Sequence, residues 1–304
     1  MLTGFTEIIG RHTAILLTAV LLWAGCPAGA WAEEATIVIG LLPEMNVFKQ
    51  QQRYTSLADH LSKAVGRPVQ FTMLSRYGNI VQRFKEQKVD GAFLGSFTGA
   101  LCVIQLGAEP LARPVNMDDT STYKGYIFAR RDSGIKTTAD MKNKVLVLVE
   151  RATTAGYVFP VAYLHQAGIA DPKTYFKEMY FAGSHDATID AVLNGKADVG
   201  ACKNTVYDMI RQQDPRVEAE LEILATSPPV PSNGLCVRGN LDTNLKQQLK
   251  KALLELDRTP EGLKILEKLN AKRFVETKRE DYQPVIELAK DAGLNLEEYQ
   301  YQNQ

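Results

Sequence analysis

The 304-residue chain has no net charge to offer a partner: 35 Lys and Arg balance 35 Asp and Glu. No basic surface is implied, so nucleic acid and anionic membrane are poor partners, and any anion must be held by local groups. Cysteine is scarce. Beyond residue 32 only Cys102, Cys202 and Cys236 remain, an odd number with no C-x-x-C pair. This excludes a cysteine metal cluster and a disulfide scaffold; it leaves either one closed pair, Cys202 with Cys236 among the choices, or three small buried apolar residues. Histidine is equally sparse, with His60, His165 and His185 scattered along the same region, so no metal or other cofactor is expected. There is no G-x-S-x-G, no Walker A and no H-E-x-x-H. Ser184-His185-Asp186 has the residue types of a hydrolytic triad, but adjacent residues cannot hydrogen-bond in series as nucleophile, base and orienting acid. An enzyme is not expected.

Long apolar runs are also absent beyond residue 32. The one short run is Ala14 to Trp23, preceded by Arg11 and followed by Ala30-Trp31-Ala32. It is too short to span a bilayer comfortably and has the order of a cleaved export signal, residues 1–32. Leu22-Trp-Ala-Gly-Cys26 is a weaker match to a lipoprotein box, because Trp23 stands where an aliphatic residue belongs. A periplasmic location follows. About 270 residues then remain, enough for one large or two medium domains.

That remainder alternates. Thr36–Leu42, Val69–Leu74 and Val89–Leu94 are apolar runs suited to buried strands. Tyr54–Val65, with apolar or aromatic residues at 54, 57, 58, 61, 64 and 65, has helical spacing stopped by Gly66. Helices are also expected over 77–84 and 100–106. Tyr123–Arg131 reads as a strand leaving this unit. Lys144–Val149 opens a second series: strand, helix 154–167, strand 176–181, helix 185–194, strand 197–202, helix 205–212, then strands at 221–226 and 235–238. Ser227-Pro-Pro-Val-Pro-Ser-Asn-Gly234 interrupts regular structure, and 242–291 read as amphipathic helices broken near Pro260. The expected fold is α/β with two lobes, 33–130 plus 228–304 and an inserted 131–227. Each lobe is a mainly parallel sheet flanked by helices, with two hinge crossings and a ligand cleft at the strand ends.

The strongest local signal is Arg151-Ala-Thr-Thr-Ala-Gly-Tyr-Val-Phe-Pro160, a polar turn between strand and helix. Thr153 or Thr154 serves there either as an ordinary cap or as part of an anion site built from hydroxyls and free N–H groups. A second helix start after Ser184 offers the same chemistry, with His185 beside it as a donor from both ring nitrogens once protonated. Tyr77 and Tyr123 are either core residues or hydroxyl donors on apolar bodies.

Ser75-Arg-Tyr-Gly-Asn-Ile80, Val89-Asp-Gly-Ala-Phe-Leu-Gly95, Tyr123 before Arg131-Asp-Ser-Gly134, Thr153-Thr-Ala-Gly156 with Pro160, and Gly183-Ser-His-Asp186 followed by Ala197-Asp-Val-Gly200 occur in an order and spacing similar to one family. The chain resembles the periplasmic phosphate/phosphite/phosphonate-binding proteins of ATP-driven importers, a branch of the type 2 periplasmic binding proteins. The resemblance implies a monomer that captures a phosphorus oxyanion (phosphite, phosphate or a small phosphonate) and delivers it to an ABC permease. A sensor kinase as partner, or an unrelated organic solute as ligand, are the alternatives. It further implies contacts from Thr153, Thr154, Ala155 and Gly156, from His185, from Tyr77 and Tyr123, and from Ser96 and Thr98. The family turn is Ser-Thr-Ser-Gly, so Ala155 lacks one hydroxyl. Positions matching the acids that hold a ligand ammonium in aminoalkylphosphonate binders fall near Val206 and at Asn233, neither acidic; Asp208 is the nearest substitute. With no Lys or Arg among these contact residues, a singly charged oxyanion is expected to bind best, and affinity to fall as pH rises and His185 loses its proton.

Overall fold

The computed structural model describes residues 35–86 and 88–301. Residues 1–32, read as an export signal, and Cys26 lie outside them. The first series runs β1 (Ile37–Leu41), α1 (Val47–Val65), β2 (Val69–Met73), α2 (Asn79–Lys85), β3 (Gly91–Leu94), α3 (Ser96–Leu106) and β4 (Glu109–Asn116). A short strand β5 (Thr122–Tyr123) leads to β6 (Gly125–Arg130), β7 (Val145–Leu148), a single π-helical turn Thr154–Val158, α4 (Phe159–Gln166), α5 (Pro172–Tyr175), β8 (Glu178–Phe181), α6 (His185–Leu193), β9 (Val199–Lys203), α7 (Asn204–Gln213), α8 (Pro215–Glu220) and β10 (Leu221–Thr226). The chain returns through β11 (Val230–Pro231) to β12 (Gly234–Val237), α9 (Thr243–Leu254), α10 (Pro260–Leu269), β13 (Ala271–Glu276) and α11 (Gln283–Asp291).

Two sheets result. One has six strands in the order β13-β4-β12-β3-β1-β2 and the other five in the order β10-β6-β9-β7-β8. Each holds three neighbouring parallel strands, β2-β1-β3 and β8-β7-β9, while the remaining pairs are antiparallel. The sheets are therefore mixed rather than mainly parallel, because the strands entering and leaving each lobe pair back against its parallel core. The chain passes between the sheets twice, and the two passages pair with each other: β5 and β11 form an antiparallel ribbon, Tyr123 opposite Val230 and Thr122 opposite Pro231. This ribbon is the natural place for the lobes to bend.

Local chemistry accounts for most boundaries. Asn46 caps α1 by accepting from the N–H groups of Phe48 and Lys49, and Gly66 ends it at φ +73°. The helix starts seven residues before the periodic stretch because Val47–Arg53 is a capped, largely exposed pair of turns, where burial imposes little pattern. Its inward face, Leu57, Leu61 and Val65, packs with Ile37, Ile39 and α9–α10 residues such as Leu249 and Leu266 in one core. A second core joins the lobes, with Leu42 and Phe97 from one and Leu146 and Val158 from the other, and α11 packs on both α3 and α4. The strand β13 lies inside the stretch expected to be wholly helical. It forms because Phe274 is drawn into the core opposite Pro114 of β4, a tertiary pairing that overrides local preference. The strand β4 itself carries Pro110 and Pro114, which donate nothing to the ladder, and the register shifts beside it on both sides.

Cys102, Cys202 and Cys236 are free and buried, with Cys202 on β9 of one sheet and Cys236 on β12 of the other. A Cys202–Cys236 disulfide is thus excluded. Burial pushes all three thiols up, Cys236 to about 12, as expected of small buried apolar residues.

Candidate functional site

Six segments meet between the sheets, and each one follows the C-terminal end of a parallel strand. Past β1 stands Glu44, past β2 Tyr77, and past β3 Ser96 and Thr98; past β7 stand Thr153 and Thr154, past β8 His185, and at the end of β9 Lys203. Strand ends are where α/β folds gather ligands, and here three ends from each sheet face one another.

The centre is a chain of hydroxyls. Ser96 Oγ lies 2.7 Å from Tyr123 Oη and 2.7 Å from Thr154 Oγ1, linking α3, the interlobe ribbon and the turn before α4. All three are buried. Three hydroxyls carry three protons but share only two hydrogen bonds, so whichever way the bonds run, one O–H is left over as a donor. Two helix starts face this cluster. Gly95 takes an extended conformation, φ −63° and ψ 162°, so α3 begins at Ser96, four residues ahead of its apolar run. The first N–H groups of α3 and of the Thr154 turn have no acceptor within their helices. Gly156 lets that turn sit on β7, since a Cβ there would lie 2.4 Å from Val149 and 2.8 Å from Thr153 Oγ1.

Thr153 is not a side-chain cap. Its hydroxyl donates to Glu150 O at 2.6 Å, and Thr98 donates likewise to Gly95 O at 3.1 Å, so both protons are committed to the backbone. Thr153 and Thr98 thus have no hydroxyl proton to spare, whereas Ala155 and Gly156 carry backbone N–H groups of the turn's start. The helix start after Ser184 is also committed. His185 N donates to Glu44 O at 3.3 Å, Ala187 N to Asp186 Oδ1 at 2.9 Å, and Asn46 N closes over the turn by donating to Asp186 Oδ2 at 3.1 Å. The two open helix starts are therefore those of Ser96 and Thr154, one from each lobe, rather than two from the same lobe.

His185 also departs from expectation. Burial is the main reason that its pKa falls to about 4, with Lys203 lowering it and Glu44 and Asp186 opposing. The ring is neutral at physiological pH, so it does not lose a proton there and does not donate from both nitrogens. Lys203 N donates to Nδ1 at 3.1 Å, which leaves the ring proton on Nε2 as a single donor. Ser184 donates its hydroxyl proton to Asp186. Tyr77 packs its edge on the imidazole, centroids 6.3 Å apart. Its hydroxyl is buried without a hydrogen-bond partner, and burial raises its pKa well above the ordinary value, with Glu44 and Tyr123 adding. It remains a protonated, unspent donor.

The contact residues implied by the sequence include no Lys or Arg, but the fold brings a cation. Lys203 Nζ donates to Glu44 Oε1 at 2.9 Å and to Asn233 Oδ1 at 3.1 Å, and lies 4.5 Å from the centre of the Tyr123 ring. Burial works to raise the Glu44 pKa, but the charge and hydrogen bond of Lys203, helped by His185 and Arg53, hold it below the usual value. Lys203 and Glu44 went unrecognised in the sequence, although one ends a buried strand and the other lies a short turn past one. The two places matched to the family's acids, and the substitute Asp208, fare differently. Val206 is buried in the core of the second lobe, Asn233 is Lys203's acceptor, and Asp208 pairs with Arg211 at 3.4 Å on α7.

The His185 pKa carries a pH prediction. The unfolded imidazole titrates near 6.5 and the folded one near 4, so the unfolded state binds more protons between these values. Stability should be complete above pH 6.5 and fall as pH drops towards 4, by on the order of 3 kcal/mol. Denaturant unfolding of the wild type and of His185→Gln at pH 7 and 4.5 tests this: the variant should show a flatter pH dependence, and an unchanged slope would show that His185 is not the group responsible.

Residues 39–282 match the model of the family described as ABC transporter, phosphonate, periplasmic substrate-binding protein. The "Probable ABC transporter phosphite binding protein PhnD1" of Prochlorococcus marinus is 24% identical over 286 residues, 90% of this chain and 96% of that protein. The phosphonates-binding periplasmic protein of Escherichia coli is 24% identical over 267 residues, 86% of this chain and 78% of that protein. Among solved structures, a binding protein component of a phosphonate ABC transporter from Pseudomonas aeruginosa superposes with a TM-score of 0.78 at 22% identity, covering 85% of this chain and 86% of that one. PhnD1 of Prochlorococcus marinus in complex with methylphosphonate superposes with a TM-score of 0.76 at 23% identity, covering 85% and 98%. With the two-lobe fold and the match over most of its length, this chain belongs to the periplasmic substrate-binding proteins of phosphonate ABC transporters.

Proposed function

We propose that this protein captures a small phosphorus oxyanion, namely phosphite, phosphate or methylphosphonate, between its two sheets and hands it to an ABC permease without altering it chemically. The observation that carries this reading is a surplus of donors: the buried Tyr77 hydroxyl with no partner, the one O–H left over among Ser96, Tyr123 and Thr154, and the single Nε2–H of neutral His185. Buried polar groups are rarely left unpaired without a reason, and charge-assisted bonds from such donors to phosphoryl oxygens are strong. Of the carboxylates near these donors, Glu44 is engaged by Lys203, Asp186 accepts from Asn46 N, Ala187 N and Ser184 Oγ, and Glu150 accepts from Arg151 N.

The lobes are taken to be the two sheets with their helices, hinged at the β5–β11 ribbon. The donors come from both lobes and from the ribbon, so binding favours the closed form. Calorimetry with phosphite, phosphate and methylphosphonate, paired with small-angle scattering, tests the assignment. Heat of binding and a smaller radius of gyration with at least one of the three are expected; neither signal with any of them would overturn the phosphorus ligand.

A further inference from the structure

Lys203 is placed to do more than complete an ion pair. It ends β9, its N–H fixes the His185 tautomer, and its buried side chain turns to the other lobe, where Glu44 and Asn233 take its ammonium. The same ammonium rests on the face of Tyr123, whose hydroxyl bonds Ser96. One tyrosine ring thus separates the cation from the hydroxyl cluster. A substituent on an oxyanion bound at the hydroxyls, if it extends along this ring, arrives at Lys203. Beyond it lies a cavity of about 310 Å³ whose lining includes Glu44, Arg53, Lys203 and Lys268 as its only ionisable acids and bases apart from Tyr54. Three cations face one carboxylate, and that carboxylate is already paired.

We propose that Lys203 is a specificity-determining residue: its ammonium fills the place where a ligand amine would be held, and so restricts bound phosphorus oxyanions to those with no substituent or with a neutral or anionic one. A cationic arm reaching this place meets a like charge and finds its only carboxylate occupied, and burying it without a counter-ion is costly. Rejection here comes from a repulsive element built into the site as much as from any missing attraction.

This rests on the reading of the protein as a phosphorus-oxyanion binder, and the test separates the two. Phosphite, ethylphosphonate, phosphonoacetate and 2-aminoethylphosphonate are titrated calorimetrically into the wild type at fixed ionic strength. The aminoethyl compound is expected to bind at least about tenfold more weakly than ethylphosphonate, a discrimination within reach of one unpaired buried charge. Binding of 2-aminoethylphosphonate as tight as that of ethylphosphonate, with phosphite still bound, would overturn the role of Lys203; absence of binding by all four and by phosphate and methylphosphonate would instead overturn the functional reading beneath it. The wild-type comparison needs no variant to fold. In Lys203→Ala, the freed Glu44 and Asn233 should accept the ligand ammonium, so preference should swing towards the aminoethyl compound by about tenfold or more, and Glu44→Gln in the same chain should abolish the swing. A folded Lys203→Ala protein with the wild-type preference order would count against the proposal.

Discussion

Replacing Lys203 by Met should cost about 3–5 kcal/mol, and adding Glu44→Gln to the same chain should return most of that loss. Met keeps an apolar stem on the Tyr123 ring but leaves the Glu44 carboxylate buried without its ion-pair partner, since among the described residues Lys203 is the one cation within hydrogen-bonding distance of it. The double variant replaces the ion pair by two uncharged groups, which is often close to neutral. The partners hang on different sheets, Glu44 past β1 and Lys203 at the end of β9, so the single variant has a way out short of unfolding. Parting the sheets at the β5–β11 ribbon returns the carboxylate to water. The loss should therefore show first as a larger radius of gyration and then as a lower unfolding midpoint. Without Lys203, burial raises the Glu44 pKa unopposed by its main partner, so the single variant should also regain stability as pH falls and Glu44 takes up a proton. A Lys203→Met protein no less stable than the double variant would show that the pair contributes nothing to the closed arrangement.

Tyr77→Phe should move stability and affinity in opposite directions. The Tyr77 side chain is buried, its ring packs in the main core, and its hydroxyl has no partner. Removing an unsatisfied buried hydroxyl relieves a desolvation cost of about 1–3 kcal/mol, so the ligand-free variant should be the more stable protein. If the hydroxyl is held in reserve for an anion, the same change removes a charge-assisted bond, and the dissociation constant for phosphite or methylphosphonate should rise about ten- to a hundredfold. Unfolding by denaturant without ligand, and calorimetry with it, measure the two effects. Unchanged affinity would return Tyr77 to the core; a drop in stability without ligand would mean the hydroxyl already has a partner in the unliganded protein. The pattern is that of a binding site whose pre-arranged donors are kept at the expense of stability.

The elements that declared themselves along the chain are those whose burial is periodic and local. Val69–Met73, Val145–Leu148, the Leu57–Leu61–Val65 face of α1 and the turn at Thr153–Gly156 could be read because each is set by side chains within a few residues of one another. The order of those pieces was enough for the two-lobe α/β fold and for the family. The individual residues of the turn were legible as well, but their duties were not. Whether Thr153 caps, donates outward or binds Glu150 O depends on a proton's direction, and that depends on neighbours brought by packing. The strand β13 was hidden because its reason for being a strand, Phe274 against β4, lies some 160 residues away in sequence. His185 shows the limit most clearly. Its place in Gly183-Ser-His-Asp186 suggested a protonated donor, but its charge is set by burial and by the N–H of Lys203, neither of which is encoded nearby. Lys203 itself, Glu44 and Asn233 stand 159 and 30 residues apart along the chain. Composition, periodicity and motif order settle which fold forms and what class of ligand its turns suit. Which cation faces which carboxylate, which hydroxyl is left with a free proton and which helix start stays open are settled only when three strand ends from one sheet close on three from the other, because hydrogen bonding and desolvation act over a few ångströms in space and not along the chain.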